Sequence, residues 1–573
     1  MRSGIVALCD ALQAVGIDCV FGVPGTQNVH LFEGFRQRRI RTVLASSELA
    51  ASFMANGYYR ATGRVAALAT IPGPGFTYAL TGIAEARLDS VGLIYLVGKP
   101  ASAPGRRFHL QAIDQRAIAS PLLKGCFTLD ASTDADRIVR EAHALSIGGE
   151  PGPVMIELDM EAMTREQPPT GTGAVMHATA PRQLDAARLT RLEVMFARAE
   201  RPVLLLGQGA FGAATPLATL ADSLTIPVVT TPTARGILSE AHSMAMGFDP
   251  LRGHTDTVNA LFQRSDLILG LGCKLGHNGS DGFALRLPAD RFVHVDAEPG
   301  VAGATYDAIL TITARVEDVL PVLDSRRAVS GWRREELEDV GRALRAPTGQ
   351  EVEPLIRGAN TMTPAAFFAW LREQLPPDAI VVTDSGLHQI LTRRHFEVRS
   401  ARGLIVPSDF QSMGFGLPAA IGATLAATDR PVVALVGDGG FLMSGMELLT
   451  ARREGARLVV VVFNDGQLNQ IRLQQFAAFG RAHAVQLLNP DYRTLAAAFD
   501  VDFLRFGEHE AGALTRALGV SKPTLVEVIV GDSLAMRALP PVVRAKALAR
   551  ATLGSTLRRW LKARMRRTSP EAE

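Results

Sequence analysis

Two aspartates close two apolar runs: Asp438 in VVALVGDGG and Asp465 after LVVVVFN. Each run reads as a buried strand of a parallel sheet that stops at a glycine-rich turn. Open α/β sheets bind ligands at the carboxyl ends of their strands. If the two strands are neighbours, both aspartates reach one rim of the sheet. Oxygen donors there suit a hard cation such as Mg2+, which keeps water and accepts phosphate oxygens. Gly437, Gly439 and Gly440 leave room for a diphosphate beside the backbone, and a helix read from FLMSGMELLTARREG offers it N–H groups. The segment VVTDSGLHQ ends another strand and adds Gly386 and His388 as anion contacts. A tight turn with an Asp helix cap is the structural alternative for GDGG alone. Three such strand ends together favour a metal–diphosphate site.

The elements that must position these residues fall into three blocks. Residues 1–165 alternate strands (TVLAS, AALATIP, GLIYLVG, PVMIELD) with helical patterns such as ELAASFMANGYYRATG. A Pro/Gly/Thr-rich linker, Gln167 to Gln183, separates them from residues 184–325, which repeat the alternation in RPVLLLGQGAFG, IPVVTTP, SDLILGLG and RFVHVDAEP. The charged stretch 326–358 reads as a helical connection. Residues 360–535 hold AIVVTDSG, RPVVALVGDGG, ARLVVVVFNDG and PTLVEVIVG. The fold class is α/β, with three doubly wound, mostly parallel-sheet domains. Residues 536–573 form a basic C-terminal tail with Leu553, Leu557, Trp560 and Leu561 interleaved. A solvated or subunit-packing helix is the reading of the tail, with an anionic membrane surface as the alternative.

Bulk composition narrows the function classes. In 573 residues, 60 Lys and Arg nearly balance 57 Asp and Glu, which gives no case for nucleic acid as a general partner. Cys9, Cys19, Cys126 and Cys273 lack metal-ligand spacing and read as reduced thiols of a cytoplasmic protein. No apolar run is long enough to span a bilayer, and Asp10 interrupts the layout a signal peptide would need.

GDGGF with the strand-end pair Asn464-Asp465 resembles the thiamine diphosphate fingerprint of the acetolactate synthase, pyruvate oxidase and benzoylformate decarboxylase superfamily. The resemblance covers about residues 1 to 535. It implies a pyrimidine-binding domain, a central domain and a diphosphate-binding domain, in that order. It implies metal ligation by Asp438, Asp465 and the carbonyl of Gln467, although relatives usually carry Asn at the second position. In SMGFGLPAAIGA it makes Met413 the apolar wedge beneath the cofactor, and it gives Ile471 an apolar place on the substrate side. In ASSELAASFMANGYYRATG, followed by VAALATIPGPG, it makes Glu48 the acid that hydrogen-bonds the cofactor's pyrimidine and promotes proton removal from it. Gly73 then belongs to the loop beside the cofactor. FGVPGTQNVHLFEGF looks like the FGxPG segment of acetolactate synthases. Gln111, in RFHLQAID, matches a glutamine that reaches the active site, and His109 is its neighbour. The resemblance also implies a homodimer or homotetramer with the active site at the subunit interface.

The chain departs from the pattern in places. GQGAFG, Gly207 to Gly212, matches a dinucleotide-binding spacing, but no acidic residue ends IPVVTTPT to hold a ribose, which argues against NAD. FAD, which some relatives carry, stays open. Gln474 stands where enzymes of branched-chain synthesis have a tryptophan, which puts that pathway in doubt. The His-His pair of pyruvate decarboxylases is absent, and Glu48 itself departs from the glyoxylate carboligase pattern. The leading expectation is a thiamine diphosphate- and Mg-dependent carboligase. It would decarboxylate a 2-oxo acid and transfer the acyl anion to a carbonyl acceptor. A 2-oxo acid decarboxylase or 2-hydroxyacyl lyase is the alternative, and a non-catalytic cofactor-binding protein is the alternative of another class.

Overall fold

The computed structural model describes residues 2–100, 106–130, 132–164, 166–167, 184–323, 329–346, 353–358, 360–508, 512–520, 522–533 and 536–537. Most of the linker and nearly all of the basic tail lie outside the described residues, so the readings made for them are not addressed by the structure.

Three mostly parallel sheets are flanked by helices. The first runs Arg41–Leu44, Cys19–Gly22, Ala66–Thr70, Leu93–Gly98, Pro153–Leu158, Gly125–Leu129, every pair parallel. The second runs Val228–Thr230, Pro202–Leu206, Leu267–Leu271, Phe292–Asp296, Leu310–Thr313, again parallel. In the third, Ile380–Thr383, Val432–Gly437 and Leu458–Asn464 lie side by side, with Thr524–Gly531 next and Leu355–Arg357 as an antiparallel edge. Strands such as Val432–Gly437 are apolar along nearly their whole length because helices cover both faces. The charged connection holds the expected helix, Arg334–Arg345, and its Leu337 and Leu344 join the core of the central domain. FLMSGMELLTARREG forms two helices, Asp438–Ser444 and Glu447–Arg453, where one was expected. Between them the chain tightens into three-residue turns: Leu448 N–H donates to the Gly445 carbonyl and Leu449 N–H to that of Met446.

The first and third domains meet through two helices. Glu48–Thr62 packs on Gly416–Ala426, and their cores merge into one apolar cluster. A Cβ added at Gly57 would lie 1.9 Å from the Ala419 carbonyl oxygen, and one at Gly422 would lie 1.9 Å from that of Met54. Those contacts make the helices antiparallel and bring backbone against backbone. Gly57→Ala is therefore expected to lower stability by about 1–3 kcal/mol through overpacking, measured as a fall in the urea midpoint. An unchanged midpoint would show that the helices can separate at little cost.

The central domain joins the third through buried charges. Arg235 pairs with Glu240 at 2.6 Å and donates to the carbonyl of Phe396, while Arg393 pairs with Asp249 at 2.9 Å. Burial alone would push Glu240 up, but the guanidinium groups of Arg235 and Arg252 override it and hold the carboxyl down at about 2. Removing one partner would leave a buried charge without compensation, so the cluster acts as a single unit.

Candidate active site

The rim of the third sheet gathers the expected metal and diphosphate residues. In the strand register Gly437 stands opposite Phe463, so Asp438 and Asp465 leave neighbouring strands at the same edge. Asp438 is buried; its Oδ2 accepts from Gly466 N–H at 2.7 Å and from Asn489 Nδ2 at 2.8 Å. Asp465 Oδ1 accepts from Gln467 N–H at 3.2 Å, and its Oδ2 from Asn469 Nδ2 at 2.7 Å. Burial, and then the charge of Asp438, push Asp465 up to about 7. Two carboxyls in that relation fit a cation that would offset their repulsion. Gln467 follows in the same turn, which is tied down by Leu468 N–H on Val485 O and Leu487 N–H on Gly466 O. Asn489 also bonds Asn464 Oδ1 at 2.8 Å, while its own Oδ1 is buried without a partner.

The glycines around this edge divide into two uses. A Cβ at Gly437 would come within 2.9 Å of His388 Nδ1, and one at Gly439 within 3.4 Å of Met413 Cε. Gly386 has φ +146° and precedes the helix Leu387–His395, again against the His388 ring. Gly440 instead makes room for Asp384, whose Oδ2 would be 2.6 Å from its Cβ. His388 is driven by burial down to about 4 and is neutral, with Nε2 buried and unpartnered. A neutral ring with one orphaned nitrogen beside the glycine turn fits a hydrogen bond to a diphosphate. Met413 is half-buried above this turn, and Ile471 is exposed on the helix Asn469–Phe479.

A second cluster forms in the first domain. Glu48 is the first residue of its helix, which Ser47 caps by accepting from Ala50 N–H at 3.2 Å. A Cβ at Gly75 would be 2.9 Å from Glu48 Oε1, and one at Gly73 would be 2.8 Å from Gln111 Cβ. Gly73 (φ +65°) needs its glycine, and Gln111 holds φ +58° with Oε1 buried and unpartnered. Glu48, Gly73 and Gln111 are thus brought together, while His109 is bonded locally to the Arg106 carbonyl at 3.2 Å. Glu48 is only half-buried, so this chain alone does not build the mostly apolar enclosure expected around it.

The two clusters do not meet within one chain. Glu48 stands about two and a half turns, roughly 13 Å, from Gly57 along its helix. Because the helix pair is antiparallel, Met413 lies beyond the opposite end of the contact.

Sequence reasoning passed over three supporting residues. Asp384 is fully buried and accepts N–H groups from Ser385, Gly414 and Gly416 at 2.7, 3.0 and 3.2 Å, and burial pushes it up to about 7. It stands in VVTDSG at the same strand-end position as Asp438 in its own segment, which was the available signal. Asn469 and Asn489, which steady the two rim aspartates, carry no such signal, since their partners are set by loop folding.

GQGAFG does not offer a free phosphate loop. Gly207 and Gly209 donate their N–H groups to the carbonyls of Leu271 and Gly272, both at 3.0 Å. Cβ atoms there would lie 2.1 Å from Gly272 O and 2.9 Å from Gly272 Cα, so these glycines serve close packing. The N–H groups of Gly207 and Gly209 are therefore taken up by backbone carbonyls.

The chain matches three consecutive family descriptions: "Thiamine pyrophosphate enzyme, N-terminal TPP binding domain" over residues 2–118, "central domain" over 189–323, and "C-terminal TPP binding domain" over 384–528. The acetolactate synthase large subunit of Parasynechococcus marenigrum is 31% identical over 553 residues, 92% of this chain and 87% of the relative. That of Corynebacterium glutamicum is 28% identical over 92% of this chain and 87% of its own length, and that of Lactococcus lactis 28% over 93% of each. The chain belongs to the thiamine pyrophosphate enzyme family, in its acetolactate synthase-like branch. Thiamine diphosphate is accordingly its cofactor, and it is an enzyme of carbon–carbon bond formation.

Proposed function

We propose that this chain is a carboligase that decarboxylates a 2-oxo acid and transfers the resulting acyl anion to a carbonyl acceptor, with Mg2+ at Asp438, Asp465 and the Gln467 carbonyl. The single observation that carries this reading is the presence of two complementary half-sites: Glu48, Gly73 and Gln111 in one, and Met413, His388 and the rim aspartates in the other. When bound, thiamine diphosphate would supply the electron sink for the carbon chemistry. Asp438, Asp465 and Gln467 would hold it through the metal, with Gly437, Gly439, Gly386 and His388 along the diphosphate and Met413 beneath the rings. Glu48 would hold and return a proton at the pyrimidine nitrogen, and Gln111 Oε1 would orient substrate. Gly440 would act by seating Asp384.

The separation of the half-sites supports a homodimer or a higher homo-oligomer, in which Glu48 of one subunit faces Asp438 of the partner subunit. Exposed Leu442, Met443, Met446 and Leu449, on and between the helices Asp438–Ser444 and Glu447–Arg453, are an apolar surface fitted to that contact. The four cysteines are free thiols, which fits a reducing cytoplasmic setting, and no described helix is long and apolar enough to cross a membrane. The lyase and non-catalytic readings have no observation in their favour.

The test is incubation with thiamine diphosphate, Mg2+ and a panel of 2-oxo acids, with and without carbonyl acceptors, following CO2 and product mass. Hydroxyketone products are expected. Free aldehyde as the only product would overturn carboligation, and absence of CO2 from every 2-oxo acid would overturn the donor class.

A further inference from the structure

The segment Ser408–Met413 approaches the active centre from the third domain, yet the first domain holds it. Asp89 ends the helix Pro74–Leu88, and its carboxylate accepts Ser408 N–H at 2.8 Å and Asp409 N–H at 3.0 Å. One turn earlier on that helix, Glu85 Oε2 accepts Ser412 N–H at 3.0 Å. Arg60 ties the arrangement together: it donates to Asp89 at 2.6 Å and to the Val406 carbonyl at 2.6 Å, and lies 3.6 Å from Glu85. Glu85 and Asp89 are both buried, so neither is a surface ion pair open to exchange with water. On the other side of Met413, Gly414 N–H donates to Asp384. Met413 is therefore flanked by two buried carboxyl groups, one from each domain, and its neighbours Gln411 and Gly414 hold φ of +59° and +79°.

We propose that Glu85 is a positioning residue for the cofactor site: by fixing Ser412 it sets the height of Met413 over the Asp438 turn, so that the first domain of a chain shapes the diphosphate-side half-site of the same chain. This rests on the reading of Met413 as a cofactor contact. Several observations support it. The contact runs between domains and through the backbone of the residue next to Met413, so it controls the main chain where Met413 departs. Met413 shares the space over the Gly439 turn with Leu468 and Leu487, a Cβ there lying 3.4 Å from its Cε and 2.8 Å from Leu468 Cδ2, so a shift of the segment changes one wall of that space. Burial, and then the charge of Asp89, push Glu85 up to about 8, while Arg60 holds the buried Asp89 low. Burial beside Asp89 thus favours the protonated form of Glu85, which faces Asp89 and Arg60. A glutamine has the same shape and charge, can donate to Asp89 and can still accept Ser412 N–H.

The experiment compares wild type, Glu85→Gln and Glu85→Ala by calorimetric titration of the apo protein with thiamine diphosphate in Mg2+, alongside kcat, KM and thermal unfolding without cofactor. Glu85→Ala is expected to weaken thiamine diphosphate binding about tenfold, and Glu85→Gln to stay within about twofold of wild type. Wild-type affinity in Glu85→Ala, or equal damage in both variants, would overturn the proposal. If Glu85→Ala does not fold, Asp89→Asn, which keeps shape but can accept fewer amides, is expected to weaken binding by a smaller factor, and unchanged affinity there would overturn the clamp. Failure of the wild type to bind thiamine diphosphate at all would instead overturn the reading of the site, and the clamp with it.

Discussion

Glu48→Gln is expected to leave the protein folded and able to bind thiamine diphosphate in Mg2+, while kcat falls by about a hundredfold to a thousandfold. The fold should tolerate it because Glu48 is half-buried at the first position of its helix, where Ser47 supplies the cap, and because the glutamine fills the same space against Gly75. Binding should tolerate it because the proposed metal and diphosphate residues lie beyond the far end of the helix pair. What the variant loses is the exchangeable proton of a carboxyl group, since an amide can donate a hydrogen bond but cannot take up and return a proton near neutral pH. Single-turnover kinetics with a saturating 2-oxo acid would read the loss directly. Turnover near that of the wild type would remove Glu48 from the reaction.

The second large effect belongs to the rim of the third sheet. Asp465→Ala should weaken thiamine diphosphate binding at least tenfold and abolish most of its dependence on Mg2+, compared by titration with and without EDTA. The substitution deletes the proposed metal ligand and also releases Asn469 and the Gln467 amide, which both donate to this carboxylate. Asp465→Asn separates the two effects. An amide oxygen still serves a hard cation, so near-normal affinity is expected there. Unchanged affinity in Asp465→Ala would mean that the metal is held elsewhere.

The parts of the site that lay in sequence order were legible. Apolar runs ending in GDGG, NDG and TDSG gave the three strands whose ends adjoin, because a strand buried on both faces must be apolar throughout and must stop where the sheet stops. Glu48 and the Gly73 loop came from spacing within a family pattern, and the structure brings them together with Gln111. Three kinds of information were not legible. Asn489 reaches Asp438 through a loop, so no local period announces it. The break at Gly445 depends on turns that a helical pattern conceals, since Leu442, Met446 and Leu449 keep helical spacing across it. In GQGAFG the spacing does not announce that Gly207 and Gly209 let two backbones touch. The Glu85 and Asp89 contacts belong with the first kind. Both residues read as ordinary polar positions of a helix until the third domain is laid against them.

The distance between the half-sites has a consequence for inheritance. In the dimer we propose, each catalytic centre takes Glu48 from one chain and Asp465 from the other, so a chain damaged at one position can still serve its partner at the other. A hybrid of a Glu48→Gln chain with an Asp465→Ala chain would contain one centre with both defects and one with neither. Random pairing in equal amounts would return about a quarter of wild-type activity from two nearly inactive parents. Two defective copies of the gene in one cell would then complement each other, as alleles of a single gene ordinarily cannot.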